Sequence, residues 1–319
     1  MSGGRAGTAV LPRPASVPVT AVAAWRRRLT SGAAAPYWQV APLALVFAFF
    51  FVLPLAVTVV VSGWRYNEYS MTPAVVGDNY AAVFSGCLSE LPGLCLTFKT
   101  YLSTLKFCAL AWLLTLVLGF TVAYFLAFHV RSVTVQMALF LVCTIPFWTS
   151  NVIRMISWVP LLGRNGLVNS VLLATGAVPQ PVTWLLFSDF SVVLAFVHLY
   201  TMFMIVPIFN SMSRIDHALL EAARDAGASG WQALWNVVVP LSRPGIVIGS
   251  IFVVTVVMGD YVTIGVMGGQ QIASIGKVIQ VQLSYLQFPL AAANAVVLLV
   301  AVLMVIAAMT RLVDVRKEL

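Results

Sequence analysis

Six apolar stretches dominate the sequence, and each is about as long as a helix that crosses a lipid bilayer. Such a helix needs about 20 mostly apolar residues. The chain is 61% hydrophobic and only 9% charged, whereas a soluble domain has fewer apolar and far more charged residues. We therefore predict an all-α integral membrane protein with about six transmembrane helices. The predicted spans are 40–62, 103–128, 135–157, 190–211, 245–267 and 290–311.

The N-terminal residues differ in composition from the rest of the chain. Residues 1–36 are rich in Ala, Gly, Pro and Ser without periodicity, which predicts a disordered tail ahead of a transmembrane domain at 37–319. Arg26–Arg28 resemble the positive end of a signal peptide. The apolar run that follows, 41–62, is too long for a signal core and has no cleavage pattern after it. We predict a retained first span.

The placement of Lys and Arg predicts the orientation of the chain. Cytoplasmic loops of membrane proteins carry an excess of these residues. If the N-terminus is cytoplasmic, the inner segments hold 12 of the 18, so both termini and 212–244 are predicted to be inside. The inner set is Arg5, Arg13, Arg26, Arg27, Arg28, Arg131, Arg214, Arg224, Arg243, Arg311, Arg316 and Lys317. Topology thus accounts for the net charge of +8, and no nucleic-acid partner is expected.

The predicted outer segments contain local structure. Residues 164–176 have the pattern of a short amphipathic helix at the interface, and 78–86 that of a helical turn. Cys108 and Cys143 lie in apolar runs and are read as packing residues. Cys87 and Cys95 share the first polar loop, where a disulfide is possible if the loop is extracytoplasmic, and the sequence leaves that bond open.

The segment 213–244 is unusually helical for a loop between two spans. Asp216 is a plausible N-cap, and Gly227 is a natural helix stop. A second helix is predicted from near Ser229 to about Val238, ended by Pro240. The predicted shape is helix, glycine turn, helix across the membrane face. Small residues on the first helix leave a surface without protruding side chains, which suits docking into a groove of a partner.

This segment contains Glu221, Ala222, Ala223, Gly227 and the pair Val239–Pro240. In these residues it resembles the signature loop of ABC-importer permeases. Longer stretches resemble the spermidine/putrescine branch of that family, and the likeness covers most of 40–311. These stretches are PFWTSNVIRMISW (146–158), GRNGLVNSVLL (163–173), EAARDAGAS (221–229), VVPLSRPGIVIGS (238–250) and MGDYVTIGVMGG (258–269).

The resemblance implies a type I importer-like permease fold and a set of partners. These are two ATPase subunits, a second permease chain and a periplasmic solute-binding protein, in the cytoplasmic (inner) membrane. It also implies that Glu221, Ala222, Ala223, Gly227 and Pro240 couple the permease to the ATPase. The chain has no phosphate-binding loop, so it is not expected to be an enzyme or to bind a cofactor. ATP and Mg would be used by the partner ATPase.

Ionisable residues inside the predicted spans are candidates for the substrate path, because such groups usually face a cavity or a partner. Asp260 lies beside Tyr261 in the predicted fifth span, and Arg154 follows Trp148 in the third. The structural alternative is an Asp260–Arg154 ion pair, or snorkelling of either residue. The functional alternative is that Asp260, with Trp148, Trp158 and Tyr261, guides a cationic substrate past aromatic faces.

Other classes of function remain open at this point. A related permease for iron, thiamine or phosphonate shares the architecture. An ion-coupled secondary transporter would show repeats and several intramembrane acids, whereas only Asp260 is clearly placed. A membrane enzyme or a scaffold would leave 213–244 unexplained. No catalytic constellation or metal-type spacing is present, and the three His residues are scattered.

Overall fold

A computed structural model of the protein describes residues 35–67, 70–85, 87 and 95–312. The predicted N-terminal tail falls almost entirely outside these residues, as do Arg316 and Lys317. The helices are α1 (Ala35–Phe47), α2 (Leu53–Val61), α3 (Asp78–Val83), α4 (Leu96–Phe128), α5 (Val133–Thr144), α6 (Asn151–Leu162), α7 (Leu167–Ala174), α8 (Asp189–Met212), α9 (His217–Asp225), α10 (Gly230–Ala233), α11 (Val239–Gly259), α12 (Val262–Met267), α13 (Ile275–Ser284) and α14 (Phe288–Leu312). Two short strands, β1 (Arg65–Asn67) and β2 (Ser70–Thr72), pair in antiparallel fashion.

Within the described residues, five helical stretches are long and apolar enough to span a membrane, and a bent pair of stretches gives a sixth if it is counted as one span. The five are Gln39–Val61, Leu96–Phe128, Asp189–Met212, Gly230–Gly259 and Phe288–Arg311. The prediction of about six spans is confirmed. The chain divides into two compact units after Val57, and the packing described below is that of the second unit.

The third span is broken, so the prediction of one continuous helix at 135–157 is wrong. Helix α5 tightens into a 3₁₀ turn at Ile145–Trp148, and Thr149 and Ser150 then adopt extended backbone angles. The two parts differ in direction by 88°. Pro146 is a physical reason for the break, because it lacks the N–H that an α-helix would use there.

The fifth span is also shifted from its predicted limits of 245–267. The helical stretch runs from Gly230 to Gly259, and residues 262–267 form the separate helix α12. Asp260 caps the long helix with extended backbone angles, φ −74° and ψ 120°. The predicted span therefore joined two helices across a break at Asp260.

Helices α4, α8 and α11 pack against one another and form the centre of the bundle. Their shared core contains Phe196 and Met204, which are fully buried. Polar side chains also link α4 to α11, since the Trp112 indole donates to Ser250 Oγ over 2.8 Å. A hydrogen bond of this kind inside an apolar bundle fixes the register of two helices as well as their contact.

Glycines allow the three central helices to approach closely. A Cβ added at Gly119 of α4 would lie 2.8 Å from Met204 Cβ, and one at Gly249 of α11 would lie 2.9 Å from Met204 Sδ. Gly245 lies four residues before Gly249 and faces the backbone of Pro207 on α8. Small residues spaced by four are typical of tight helix crossings in membranes.

The two predicted local helices outside the long spans are confirmed as α3 and α7. Asn169 links helix α7 to the segments on either side of it by hydrogen bonds. Its amide donates to Gly163 O and Val182 O and accepts from Val182 N. A disulfide joins Cys87 to Cys95 in the structure.

Candidate functional site

The first helix of the segment 213–244, hereafter the coupling segment, begins where the sequence predicts. The Asp216 carboxylate accepts a hydrogen bond from Ala218 N over 2.9 Å and so caps α9. Glu221, Ala222 and Arg224 are exposed on this helix, and Ala223 is half-buried. Among the described residues, no ion pair involves Glu221 or Arg224. The charges of α9 are therefore available to a partner.

A glycine turn separates the two helices of the coupling segment. Gly227 has φ +85°, in the left-handed region where side chains other than that of Gly are strained. Gly227 N donates to Arg224 O over 2.8 Å, and Ala228 N donates to Ala223 O over 2.9 Å. These two bonds form the Schellman arrangement that ends many helices at glycine. The turn is thus fixed by local hydrogen bonds.

The second helix starts at Gly230 with a capping box. Ser229 Oγ accepts from Gln232 N over 3.3 Å, and Gln232 Oε1 accepts from Ser229 N over 2.8 Å. Reciprocal capping of this kind satisfies two backbone donors that a helix start would otherwise expose. The start near Ser229 therefore follows the prediction.

Pro240 does not end this helix, which corrects the predicted stop. The chain passes through a π-helical turn at Leu234–Val238 and continues as α11. Val239 N bonds to Leu234 O, five residues back. Pro240 then stands in the first turn of α11, where a missing N–H is tolerated. The coupling segment is consequently continuous with the fifth span.

Asp260 lies at the other end of α11, in a polar cluster that also includes Tyr200 and Thr263. The Asp260 side chain accepts hydrogen bonds from Thr263 N over 2.8 Å, from Thr263 Oγ1 over 2.7 Å and from the Tyr200 hydroxyl. Asp260 is only 8% exposed. The carboxylate thus fixes the start of α12 and ties it to α8.

The structural alternative of an Asp260–Arg154 ion pair is wrong for the residues that the structure describes. Their ion pairs are Arg65–Asp78 and Lys106–Asp189. In the described part of the chain, the buried Nε and Nη1 atoms of Arg154 have no hydrogen-bond partner. Asp260 is therefore satisfied by neutral donors, and its negative charge has no cationic partner among the described residues.

The aromatic residues predicted for the substrate path differ in exposure and in contacts. Trp148 is 82% exposed at the break of the third span, and Tyr261 is 46% exposed. Trp158 instead donates its indole N–H to His198 Nδ1 over 3.1 Å. Across the described residues, no hydrogen bond or ring contact links Trp148 or Trp158 to Asp260 or Tyr261. These contacts do not join the four residues to one another, and their role in a substrate path stays a prediction.

Sequence reasoning missed Tyr200 and Thr263, the partners of Asp260. Tyr200 is 60 residues away along the chain and lies in an apolar run, so no local pattern marks it. Thr263 stands three residues after Asp260, the spacing of a helix cap, and this signal was available. Among the described residues, no group of three His, Cys, Asp or Glu could hold a metal ion.

Comparisons with known proteins agree with the resemblance of the coupling segment. Residues 116–317 match the family described as binding-protein-dependent transport system inner membrane component. The spermidine/putrescine transport system permease protein PotB of Salmonella typhimurium (strain SL1344) is 35% identical over 222 residues, 69% of this chain and 73% of that protein. PotB of Escherichia coli (strain K12) is 36% identical over 204 residues, 64% of this chain and 73% of that protein.

The fold is also similar to that of solved transporters. A chain of a bacterial ABC transporter that imports the polysaccharide alginate superposes with a TM-score of 0.68. The two chains are 17% identical, and the match covers 90% of this chain and 96% of the other. At this identity the likeness concerns the fold and not the substrate.

Proposed function

Since this chain belongs to the binding-protein-dependent transport system inner membrane components, we propose that it is the permease subunit of an ATP-driven importer of polyamines. The observation that carries the proposal is the coupling segment, a capped helix and glycine turn that continue directly into a membrane span. The choice of spermidine or putrescine as substrate is supported by the identity to PotB proteins.

The partners are part of this proposal. We propose that the importer has two ATPase subunits, one of which receives the exposed face of α9, and that a second permease chain completes the pathway. A solute-binding protein would deliver substrate on the outer side. ATP and Mg would be bound by the ATPase. Because the second helix runs unbroken into α11, movement of the ATPase would reach the fifth span as a rigid-body displacement.

A substitution at Gly227 tests the coupling contact. A Cβ at this residue would meet no atom of the described residues within 4 Å, so the effect of a side chain is confined to the backbone. Gly227→Val should strain the turn by about 1–2 kcal/mol, because a β-branched residue disfavours positive φ. We expect loss of ATPase co-purification and of uptake. The measurements are pull-down of the ATPase and ATP-dependent uptake in vesicles.

Gly227→Asn is the matched control for that experiment, because Asn tolerates the left-handed region. We expect this variant to keep most of the association and uptake. Unchanged activity of Gly227→Val would contradict the assignment of the coupling contact.

The orientation is tested by chemical labelling. We propose that the coupling segment and both termini are cytoplasmic. A cysteine introduced at Ala228, in a chain without the free Cys108 and Cys143, should react with an impermeant thiol reagent only in inverted membrane vesicles. Labelling in intact cells would place the segment outside and refute the proposal.

The substrate is tested with the assembled complex. ATP hydrolysis by the reconstituted complex with its binding protein should rise with spermidine or putrescine and not with thiamine or phosphonate. Stimulation by one of the latter would assign a related importer instead. Uptake without ATP would indicate an ion-coupled carrier.

A further inference from the structure

A cavity of about 790 Å³ lies between α8 and α11, at the end of the bundle that carries the coupling segment. Its lining includes the polar or charged side chains of Asn210, Arg214 and Asp216 and the ring of Phe252. The volume exceeds that of a small linear amine, so a molecule of this kind has room to enter with its water.

Three phenylalanine rings from three parts of the chain meet where Phe252 lines this cavity. The Phe203 ring stacks on Phe252 with centroids 6.2 Å apart, and Phe147 contacts Phe203 edge-on at 5.6 Å. We call Phe147, Phe203 and Phe252 the phenylalanine triad. Phe147 and Phe252 are 54% and 51% exposed, so ring surface remains open in this subunit.

Helical periodicity places Phe203 and Phe252 on the same helix faces as other residues that line the cavity. On α8, Phe203 and Asn210 are seven residues apart, and Arg214 follows in the same register just after the helix. On α11, Leu241, Ile248 and Phe252 have the equivalent spacing. Phe203 and Phe252 therefore lie on the helix faces that line the cavity, and Phe147 contacts Phe203 from the break of the third span.

A negative charge lies behind the aromatic rings. The Tyr200 ring contacts Phe203 at 6.1 Å, and the Tyr200 hydroxyl donates to the Asp260 carboxylate. No cation pairs with Asp260 among the described residues. Among the residues that line the cavity, Arg214 and Asp216 carry opposite charges. Arg154 interacts electrostatically with Tyr200, so the charge near the rings is not uniformly negative, and cation binding rests on the ring faces themselves.

We infer that the phenylalanine triad and this cavity form the part of the transport pathway nearest the coupling segment, and that the triad binds the alkylammonium group of a polyamine during passage. Ring faces attract cations, and the methylene chain of a polyamine packs on the same apolar surface. This inference rests on the proposed function and adds to it the residues that select a cationic substrate.

The test compares two ring substitutions in the complete importer, reconstituted in vesicles with radiolabelled spermidine. Phe252→Leu keeps an apolar side chain but removes the ring, and it should lower kcat/KM for uptake about tenfold, the size expected for a desolvated cation–π contact. Phe252→Tyr keeps the ring and should stay within about twofold of the unsubstituted complex.

The matched control is Phe209→Leu on α8. Among the described residues, Phe209 also has one aromatic neighbour, Phe140 at 5.1 Å, but it does not line the cavity. We expect normal uptake by this variant. An equal effect of Phe252→Leu and Phe209→Leu, or an equal loss in Phe252→Tyr, would overturn the role of the triad and leave the proposed function intact. Absence of spermidine uptake by the unsubstituted complex would overturn both.

Discussion

Replacing Gly245 with valine is expected to abolish the folded subunit. A Cβ at this residue would collide with the carbonyl of Pro207 and lie 2.7 Å from Ser211 Cβ. It would also lie 2.9 Å from the carbonyl carbon of Pro207. Two of these atoms belong to backbone in the middle of the bundle, so no side-chain rotation relieves the overlap.

The cost of this change comes from displacement of whole helices. Helix α8 would have to move away from α11 and lose the tight contact at Met204, which is fully buried. Overpacking of a well-packed core typically costs about 1–3 kcal/mol, and more when the obstacle is backbone. The measurement is the yield of monodisperse subunit after extraction in detergent, together with its thermal unfolding temperature.

Gly230→Val is the control for Gly245→Val, because both glycines lie on the same long helical stretch. A Cβ at Gly230 meets no atom within 4 Å. We expect near-normal yield and unfolding temperature for this variant. If the two valine variants were equally stable, the close crossing of α8 and α11 would be refuted.

Removal of the Asp260 side chain is expected to give the second largest loss. In Asp260→Ala, three donors at a buried site lose their acceptor: Thr263 N, Thr263 Oγ1 and the Tyr200 hydroxyl. An unsatisfied buried polar group costs about 1–3 kcal/mol, so the sum is a large fraction of the stability of a typical domain. The expected result is a marked fall in unfolding temperature and detachment of α12 from α8.

Asp260→Asn separates the structural role of this residue from a role in transport. The amide oxygen can still accept from Thr263, and the amide nitrogen can donate to Tyr200 Oη, so the fold should persist. The negative charge is lost. If Asp260 guides a cation, this variant assembles normally but takes up less polyamine. Normal uptake by a normally assembled Asp260→Asn complex would leave Asp260 with only its structural role.

Tyr200→Phe provides an internal check on the stability argument. It removes one of the three donors and leaves the Asp260–Thr263 bonds in place. Its loss of stability should be clearly smaller than that of Asp260→Ala. If the Asp260→Ala subunit were as stable as the unsubstituted one, the hydrogen bonds of Asp260 to Thr263 and Tyr200 would not stabilise the fold as argued.

Local signals in the sequence were read correctly where a few neighbouring residues decide the outcome. Asp216 caps α9, Gly227 takes a positive φ, and Ser229 begins the next helix, each as its residue type predicts. These features depend on backbone groups within about five residues of the side chain. No distant contact was needed to find them.

Breaks inside apolar runs were missed. The sequence on both sides of Thr149 and of Asp260 is apolar, so a hydropathy window averages over each break and reports one span. At Pro240 the error was the reverse, since a helix end was predicted where the helix continues. The π-helical turn before Pro240 places the proline in a tolerated position. Whether a helix ends at such residues depends on how the flanking segments pack.

The sequence by itself determined that the chain is a bundle of membrane helices with a capped helix–turn–helix at 213–244, because length, hydropathy and capping are properties of contiguous residues. Only the tertiary structure decided which distant side chains meet. It brought Tyr200 to Asp260, Phe203 to Phe252, and Gly245 to Pro207. Such pairs depend on the crossing of helices, and the periodicity of a single helix shows which residues share a face but not which face of another helix they will contact.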